Sequence, residues 1–272
     1  MSSLTSTPSA WRTTPILLAR PSRALSLVER GVYVYRRKWF YLVSGFTEPF
    51  FYLLSIKVGL SHLVGHVRLD GHAVSYARFV APGLLATSAM NGSILDTTYN
   101  FFFKLKISKV FKAVIATPLD VGDVALGEVG WALCRGSIYS AGFLVVMAAF
   151  GLVSSPWALL CLPATMLVAL CFAALGIAAT SFMRTWQDLS MIALAMLPLF
   201  LFSGTFYSID VYPRAVAVVV EATPLYQGVA ICRALTNGIV GLGLLWHVLY
   251  LGLTSVVCIV VAAHRLRGLL TP

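Results

Sequence analysis

From Gly136 to Met183 the chain contains no Asp, Glu, Lys or Arg. Roughly 20 helical residues cross a bilayer's hydrocarbon core, so this stretch holds two crossings. Ser154-Ser155-Pro156-Trp157 supplies the reversal between them. So long an absence of charge excludes a soluble domain of ordinary size. Charge is scarce everywhere else too. Of 272 residues 11% are charged and 59% hydrophobic, with a mean hydropathy of +0.86, whereas soluble domains carry roughly 25% charged residues. The net charge of +10 would point to nucleic acid in a soluble protein, but in a bilayer its placement reports orientation, and no nucleic-acid partner is expected.

Cysteine is sparse and unpatterned. Cys134, Cys161, Cys171, Cys232 and Cys258 show no CxxC spacing, which argues against a zinc ribbon or a disulfide framework; they read as small apolar fillers. No GxxxxGK[ST], GxSxG or HExxH occurs, so the chain has no P-loop for ATP, no nucleophile elbow and no zinc-protease motif. His62 and His66 stand four apart near Asp70 and His72, yet no Glu follows His62, and an outer-loop surface is the plainer reading. Asn91-Gly92-Ser93 matches a glycosylation triplet inside an apolar run and is chance. Ile16-Leu17-Leu18-Ala19 is too short for a signal-peptide core. The Arg- and Ser-rich first 38 residues leave a mitochondrial transit peptide as the alternative. No catalytic residue, cofactor or metal is expected in this chain.

Hydropathy predicts an all-α membrane protein with six spans, near Trp39–Leu60, Phe79–Asn100, Glu128–Val153, Trp157–Met183, Leu189–Tyr207 and Leu242–Ala263. With the N-terminus inside, the inner segments hold the basic residues of 12–38 and 104–112 together with Arg184, Arg265 and Arg267. The outer segments hold Arg68, Arg78, Arg214 and Arg233. That asymmetry puts both termini in the cytoplasm. The outer stretch Tyr207–Gly241 splits at Thr223-Pro224 into pieces of about 10–12 residues, some 15–18 Å as helix. These cannot cross, and two short helices dipping back into the outer leaflet fit best.

Two amphipathic segments face the inner side. Ile107, Val110, Phe111, Val114 and Ile115 form one helical stripe, opposed by Lys106, Lys109 and Lys112, and Thr117-Pro118 stops the helix. Asp120 or Asp123 then helps to open the third span. Such a helix can lie on anionic lipid, which composition favours, or dock on a partner. Ahead of the first span, Leu25, Val28, Val32, Tyr35 and Trp39 share a face opposite Arg23, Arg30 and Arg37.

Ionisable residues inside spans are expensive and therefore informative. Glu48 and Lys57 lie in the first span, Asp96 in the second, and Glu128 and Arg135 on one face of the third. Lys57 reads as a snorkelling end residue. Asp96 and Arg135 reach similar depths, about 6 and 10 Å from the inner boundary at 1.5 Å per residue, which suggests an ion pair. Ala174/Ala178 and Gly176/Thr180 give the fourth span small residues at four-residue spacing for close packing.

Several stretches resemble permease subunits of type-2 ABC exporters, in the NodJ-like branch that includes lipo-oligosaccharide and daunorubicin-type drug exporters. They are Phe79–Met90 (FVAPGLLATSAM), Ala116-Thr117-Pro118-Leu119 with Gly127-Glu128, Leu199–Phe206 (LFLFSGTF), and Pro224-Leu225-Tyr226-Gln227-Gly228 with Arg233.

The resemblance implies a transport subunit that pairs with a second permease and binds two separate nucleotide-binding ATPase subunits, which hold the ATP and magnesium. It makes residues 1–22 a cytoplasmic tail, 23–38 a connecting helix, 39–263 the six-span domain and 264–272 a second tail. Lys104–Leu119 becomes the coupling helix, contacting the ATPase through Lys106, Lys109, Val110, Phe111, Lys112, Pro118 and Leu119, which reverses the lipid preference. The outer helices become a gate, with Ser203, Gly204, Phe206, Pro224 and Tyr226 at its heart. The expected setting is a bacterial plasma (inner) membrane and the expected cargo amphipathic: a lipid-linked glycan, a lipid or a hydrophobic drug. Asp96 stands where relatives are expected to carry Glu. The alternatives are an ion- or proton-coupled carrier or channel through Glu48, Asp96 and Arg135, and a membrane-embedded transferase.

Overall fold

A computed structural model describes residues 21–36, 47, 49–69, 72–115, 117, 119 and 121–270. Ten labelled helices and one hairpin organise these residues. Helix α1 spans Pro21–Arg36 and α2 spans Pro49–Leu60, its last turn wound as π-helix from Ile56. A single turn, Ser61–Val64, leads to strands β1 (His66–Leu69) and β2 (His72–Ser75), an antiparallel pair with Val67 opposite Val74. Then come α3 (Tyr76–Leu95), α4 (Val110–Ile115), α5 (Val121–Ala149), α6 (Cys161–Phe182) and α7 (Asp188–Leu201). Helices α8 (Arg214–Glu221), α9 (Pro224–Asn237) and α10 (Gly243–Leu270) complete the order.

Among the described residues, three helices are each long and apolar enough to cross a membrane: Gly122–Ala149, Pro156–Phe182 and Gly243–Leu266. They coincide with the third, fourth and sixth expected spans. The other three are not confirmed as spans. Of Trp39–Leu60 only residues 47 and 49–60 are described, and 49–60 form the short helix α2. The second is a continuous helix from Tyr76, but Asp96–Asn100 and Phe103–Ile107 are wound as π-helix. The fifth is shortened: α7 has 14 residues, about 21 Å, and ends at Leu201, three residues after its internal Pro198. The hairpin β1–β2 was not expected; its alternation is too short to register as a pattern.

Helix α6 forms the axis of the bundle, packing on α3, α5, α9 and most extensively α10. Lipid offers helices no hydrophobic drive to associate, so contact must come from shape. Gly176 supplies it: a Cβ there would lie 2.1 Å from Thr97 Oγ1, so only glycine lets α6 touch the π turn of α3. One turn on, Thr180 Oγ1 donates to Thr97 O at 3.2 Å. A core of Phe79, Phe143, Phe172, Leu84 and Met90, all buried, fills the space between α3, α5 and α6.

Helix α1 lies against α5, but not through its whole expected stripe. Val28 meets Gly130 and Gly31 meets the Trp131 ring, where a Cβ would sit 2.5 Å from the indole, and Leu27 packs into the neighbouring core. Leu25 and Val32 of the stripe are more than half exposed. The hugging face is thus rotated toward the small residues that permit close approach.

Candidate functional site

At one end of the bundle, α3 continues past Leu95 into the π turn Asp96–Asn100 and then the second, Phe103–Ile107. Asp96, Asn100 and Lys104 follow at four-residue spacing and face Glu128 and Arg135 of the antiparallel α5. Two ion pairs close across the gap. Arg135 Nη1 lies 3.0 Å from Asp96 Oδ1, with the side chains only 12% and 4% exposed. Lys104 Nζ lies 2.6 Å from Glu128 Oε2 and 2.9 Å from Oε1. Arg135 Nε also donates to Tyr139 Oη at 2.8 Å, and Asn100 Nδ2 donates to Asp96 Oδ1. The Asp96–Arg135 pair matches the depth count. Lys104, in contrast, belongs to this ladder rather than to a free coupling helix.

Below the ladder the chain turns sharply. Ser108 N bonds back to Phe103 O at 2.9 Å. Lys109 adopts φ +50°, the one positive φ of a non-glycine residue among those described. Helix α4 then runs only from Val110 to Ile115, and Thr117 N turns back to Val114 O at 3.0 Å. The expected stripe is broken by this corner. Ile107 sits on the other side of it and is exposed, whereas Phe111 is buried against Phe101 at 5.0 Å between ring centroids. Phe111 therefore anchors α4 to the bundle. Lys109 is exposed, and Lys106, Val110 and Leu119 are half-buried. Glu48 and Pro118 lie outside the described residues, as does the Lys112 side chain. Asp123 sits in the first turn of α5 and is buried.

At the opposite end, α8 and α9 meet at an angle of 84° across Ala222-Thr223. The Thr223 hydroxyl accepts from Tyr226 N at 3.3 Å, and Pro224 occupies the first turn, where its missing N–H costs nothing. The expected break at Thr223-Pro224 is thus present, within a residue or two. The expected gate residues converge here. Gly204, at φ +72°, faces the Tyr226 ring, 3.2 Å from where a Cβ would stand. Ser203 is buried and shares a 2.7 Å hydrogen bond with Thr205. Phe206 packs edge-on to Phe200 at 5.1 Å, and its carbonyl accepts from Tyr76 Oη at 3.2 Å. Arg233 joins them, donating to Gly204 O at 2.7 Å and lying 4.0 Å over the Phe79 ring.

Lys57 does not snorkel freely: its ammonium donates to Phe150 O at 3.0 Å and lies 4.2 Å over the Phe150 ring. It holds α2 to the end of α5, where unsatisfied carbonyls attract cations.

A groove of about 300 Å³ opens between α2, α3 and α7. Pro49, Tyr52, Met90 and Phe200 make its walls largely apolar, and Thr87 and Asn91 add polar points. Its one signal in the sequence is Asn91, an amide inside an apolar run. Among the described residues, no group of three or more His, Cys, Asp or Glu side chains could hold a metal ion.

The ABC-2 type transporter family model matches residues 23–236, from α1 through α9. Nodulation protein J of Rhizobium meliloti (strain 1021) is 30% identical over 198 residues, covering 72% of this chain and 74% of its own. The same-named protein of Rhizobium leguminosarum bv. trifolii is 31% identical with the same coverage. The inner membrane transport permease YadH of Escherichia coli (strain K12) is 24% identical over 209 residues, covering 75% of each chain.

Proposed function

We propose a function from one premise: the chain belongs to the ABC-2 type transporter family and is an ABC transporter membrane subunit. In our reading it is the permease of an exporter, set in a bacterial inner membrane with both termini cytoplasmic. A separate ATPase subunit docks beneath the corner Ser108–Leu119. A second permease, identical or related, completes the path. ATP-driven closure of the ATPases pushes on the corner, and the two bundles move as rigid bodies.

The observation that carries this reading is the ladder above the corner. Asp96–Arg135 and Lys104–Glu128 bind the inner ends of α3 and α5 into one block directly over exposed Lys109. A push at Lys109 then moves two helices together rather than bending one. Tertiary contact between α6 and the π turn passes the motion to the axis of the bundle. Lone charges would relay protons; paired ones brace, and this favours the exporter over a proton-coupled carrier.

The cargo is amphipathic in this account. The groove between α2, α3 and α7 offers apolar walls to a hydrocarbon chain and Thr87 and Asn91 to a polar head. Helices α8 and α9, too short to cross, would dip into the outer leaflet and close the exit.

Purification of the chain from native membranes in mild detergent tests the assembly. An ABC ATPase should co-purify in stoichiometric amount and hydrolyse ATP in vesicles. A preparation that transports cargo with no ATPase present would overturn the reading.

A further inference from the structure

The elbow between α8 and α9 leaves the last carbonyls of α8 without helical partners, and such groups are costly to leave bare in hydrocarbon. Side chains from two other helices take them. Gln227 of α9, 4% exposed, donates through Nε2 to Glu221 O at 2.5 Å. Tyr250 of α10 donates through Oη to Ala222 O at 2.5 Å. His247, three residues before Tyr250 and on the same face of α10, meets Gln227 Oε1 through Nδ1. A carbonyl only accepts, so Glu221 O fixes which way the Gln227 amide points, and Gln227 Oε1 then requires a proton on His247 Nδ1. Packing gives α8 little else: Val220 is buried, whereas Val216, Val218 and Val219 are exposed. The far part of α10 is firmly seated, with Ala262 and Leu266 in the buried cluster that holds Phe101 and Phe111. One unbroken helix, Gly243–Leu270, thus joins the corner's anchor to the elbow.

We infer that His247 and Tyr250 are positioning residues that clamp the elbow to α10, His247 acting through Gln227. The inference rests on the proposed reading of α8 and α9 as the outer gate, and it names what ties that gate to the bundle. Tyr250 holds the Ala222 carbonyl directly. His247 keeps the Gln227 amide turned so that Nε2 stays on Glu221 O. Without that donor the amide is free to rotate, Glu221 O loses its fixed partner, and α8 loosens about Thr223. With it, α8 follows α10, whose other end packs beside the corner that the ATPase is proposed to push.

Amide exchange over 217–222, read by mass spectrometry on the full chain in nanodiscs, tests the clamp. His247→Leu keeps an apolar side chain but removes the donor, and it should speed exchange there by about tenfold or more. His247→Asn, whose Nδ2 stands in for Nδ1, should stay within about threefold of wild type. Tyr250→Phe deletes only the hydroxyl and should speed the same segment, and the double variant His247→Leu with Tyr250→Phe should exceed either single change. Exchange over 161–182 should be the same in all of them. An unchanged 217–222 segment in the double variant would overturn the clamp. So would His247→Asn exchanging as fast as His247→Leu, which would assign the effect to ring packing, or faster exchange over 161–182, which would assign it to a general loss of stability. The measurement needs no ATPase, so absence of that partner would sink the functional reading and leave the clamp standing.

Discussion

Arg135 of α5 grips Asp96 at 3.0 Å at the residue where α3 passes from α-helical to π-helical winding. A π turn is uncommon and tends to mark functional positions in helices. This one turns Asp96 and Asn100 toward α5 while Thr97 faces α6. Breaking one partner of a buried pair costs about 3–5 kcal/mol, because the other charge is left uncompensated. Arg135→Ala should therefore lower the apparent melting temperature in detergent, and Asp96→Asn should lower it less. The exchange variant Asp96→Arg with Arg135→Asp should recover part of the loss; no better folding than either single change would count against the brace.

Lys109 is held in the left-handed region, where an L-residue is strained by roughly 1–2 kcal/mol and glycine is not. Lys109→Gly should keep the corner and match or exceed the wild-type melting temperature. Lys109→Val should lower it, since branching at Cβ worsens the clash. Thermal unfolding of both variants, read by fluorescence-detected size exclusion, checks the sign.

Gly176→Ala places a methyl 2.1 Å from Thr97 Oγ1, so α6 and the π turn must part. Overpacking of this kind costs about 1–3 kcal/mol. The paired change Thr97→Ala removes the clashing hydroxyl and should restore part of the stability. A Gly176→Ala protein as stable as wild type would show that the seam is looser than described.

At the start of α7, the Asp188 carboxylate accepts from Arg184 N at 2.8 Å, Thr185 N at 3.0 Å and the Thr185 hydroxyl at 2.8 Å. These bonds, led by the Thr185 amide, hold its pKa below the ordinary 3.8. A depressed carboxylate stabilises the fold above the unfolded value and loses that contribution as pH falls through the folded one. Amide exchange at Arg184 and Thr185 should stay slow at neutral pH and quicken only once the solution is more acidic than 3.8. Asp188→Asn should show faster exchange already at pH 7.

Long apolar runs were legible because periodicity is not needed to see them: α5, α6 and α10 fall where hydropathy puts them. The Thr223-Pro224 break and the Asp96–Arg135 depth match also follow from local chemistry and a fixed rise per residue. The corner at Lys109 was not legible. Its residues repeat at helical spacing, but tertiary burial of Phe111 against Phe101 overrides that repeat and splits it at Ser108. Shortening of α7 escaped notice because Pro198 and Gly204 interrupt an otherwise apolar run. The groove depends on three helices distant in sequence, and only contacts between them reveal it.

In the proposed function, a nucleotide-hydrolysing partner grips the corner below the ladder. A photoreactive amino acid placed at Lys109, which is exposed, tests it directly in native membranes. Irradiation should join the chain to an ABC ATPase, with the yield changing between nucleotide-free and ATP-bound conditions. Adducts to phospholipid alone would contradict the account.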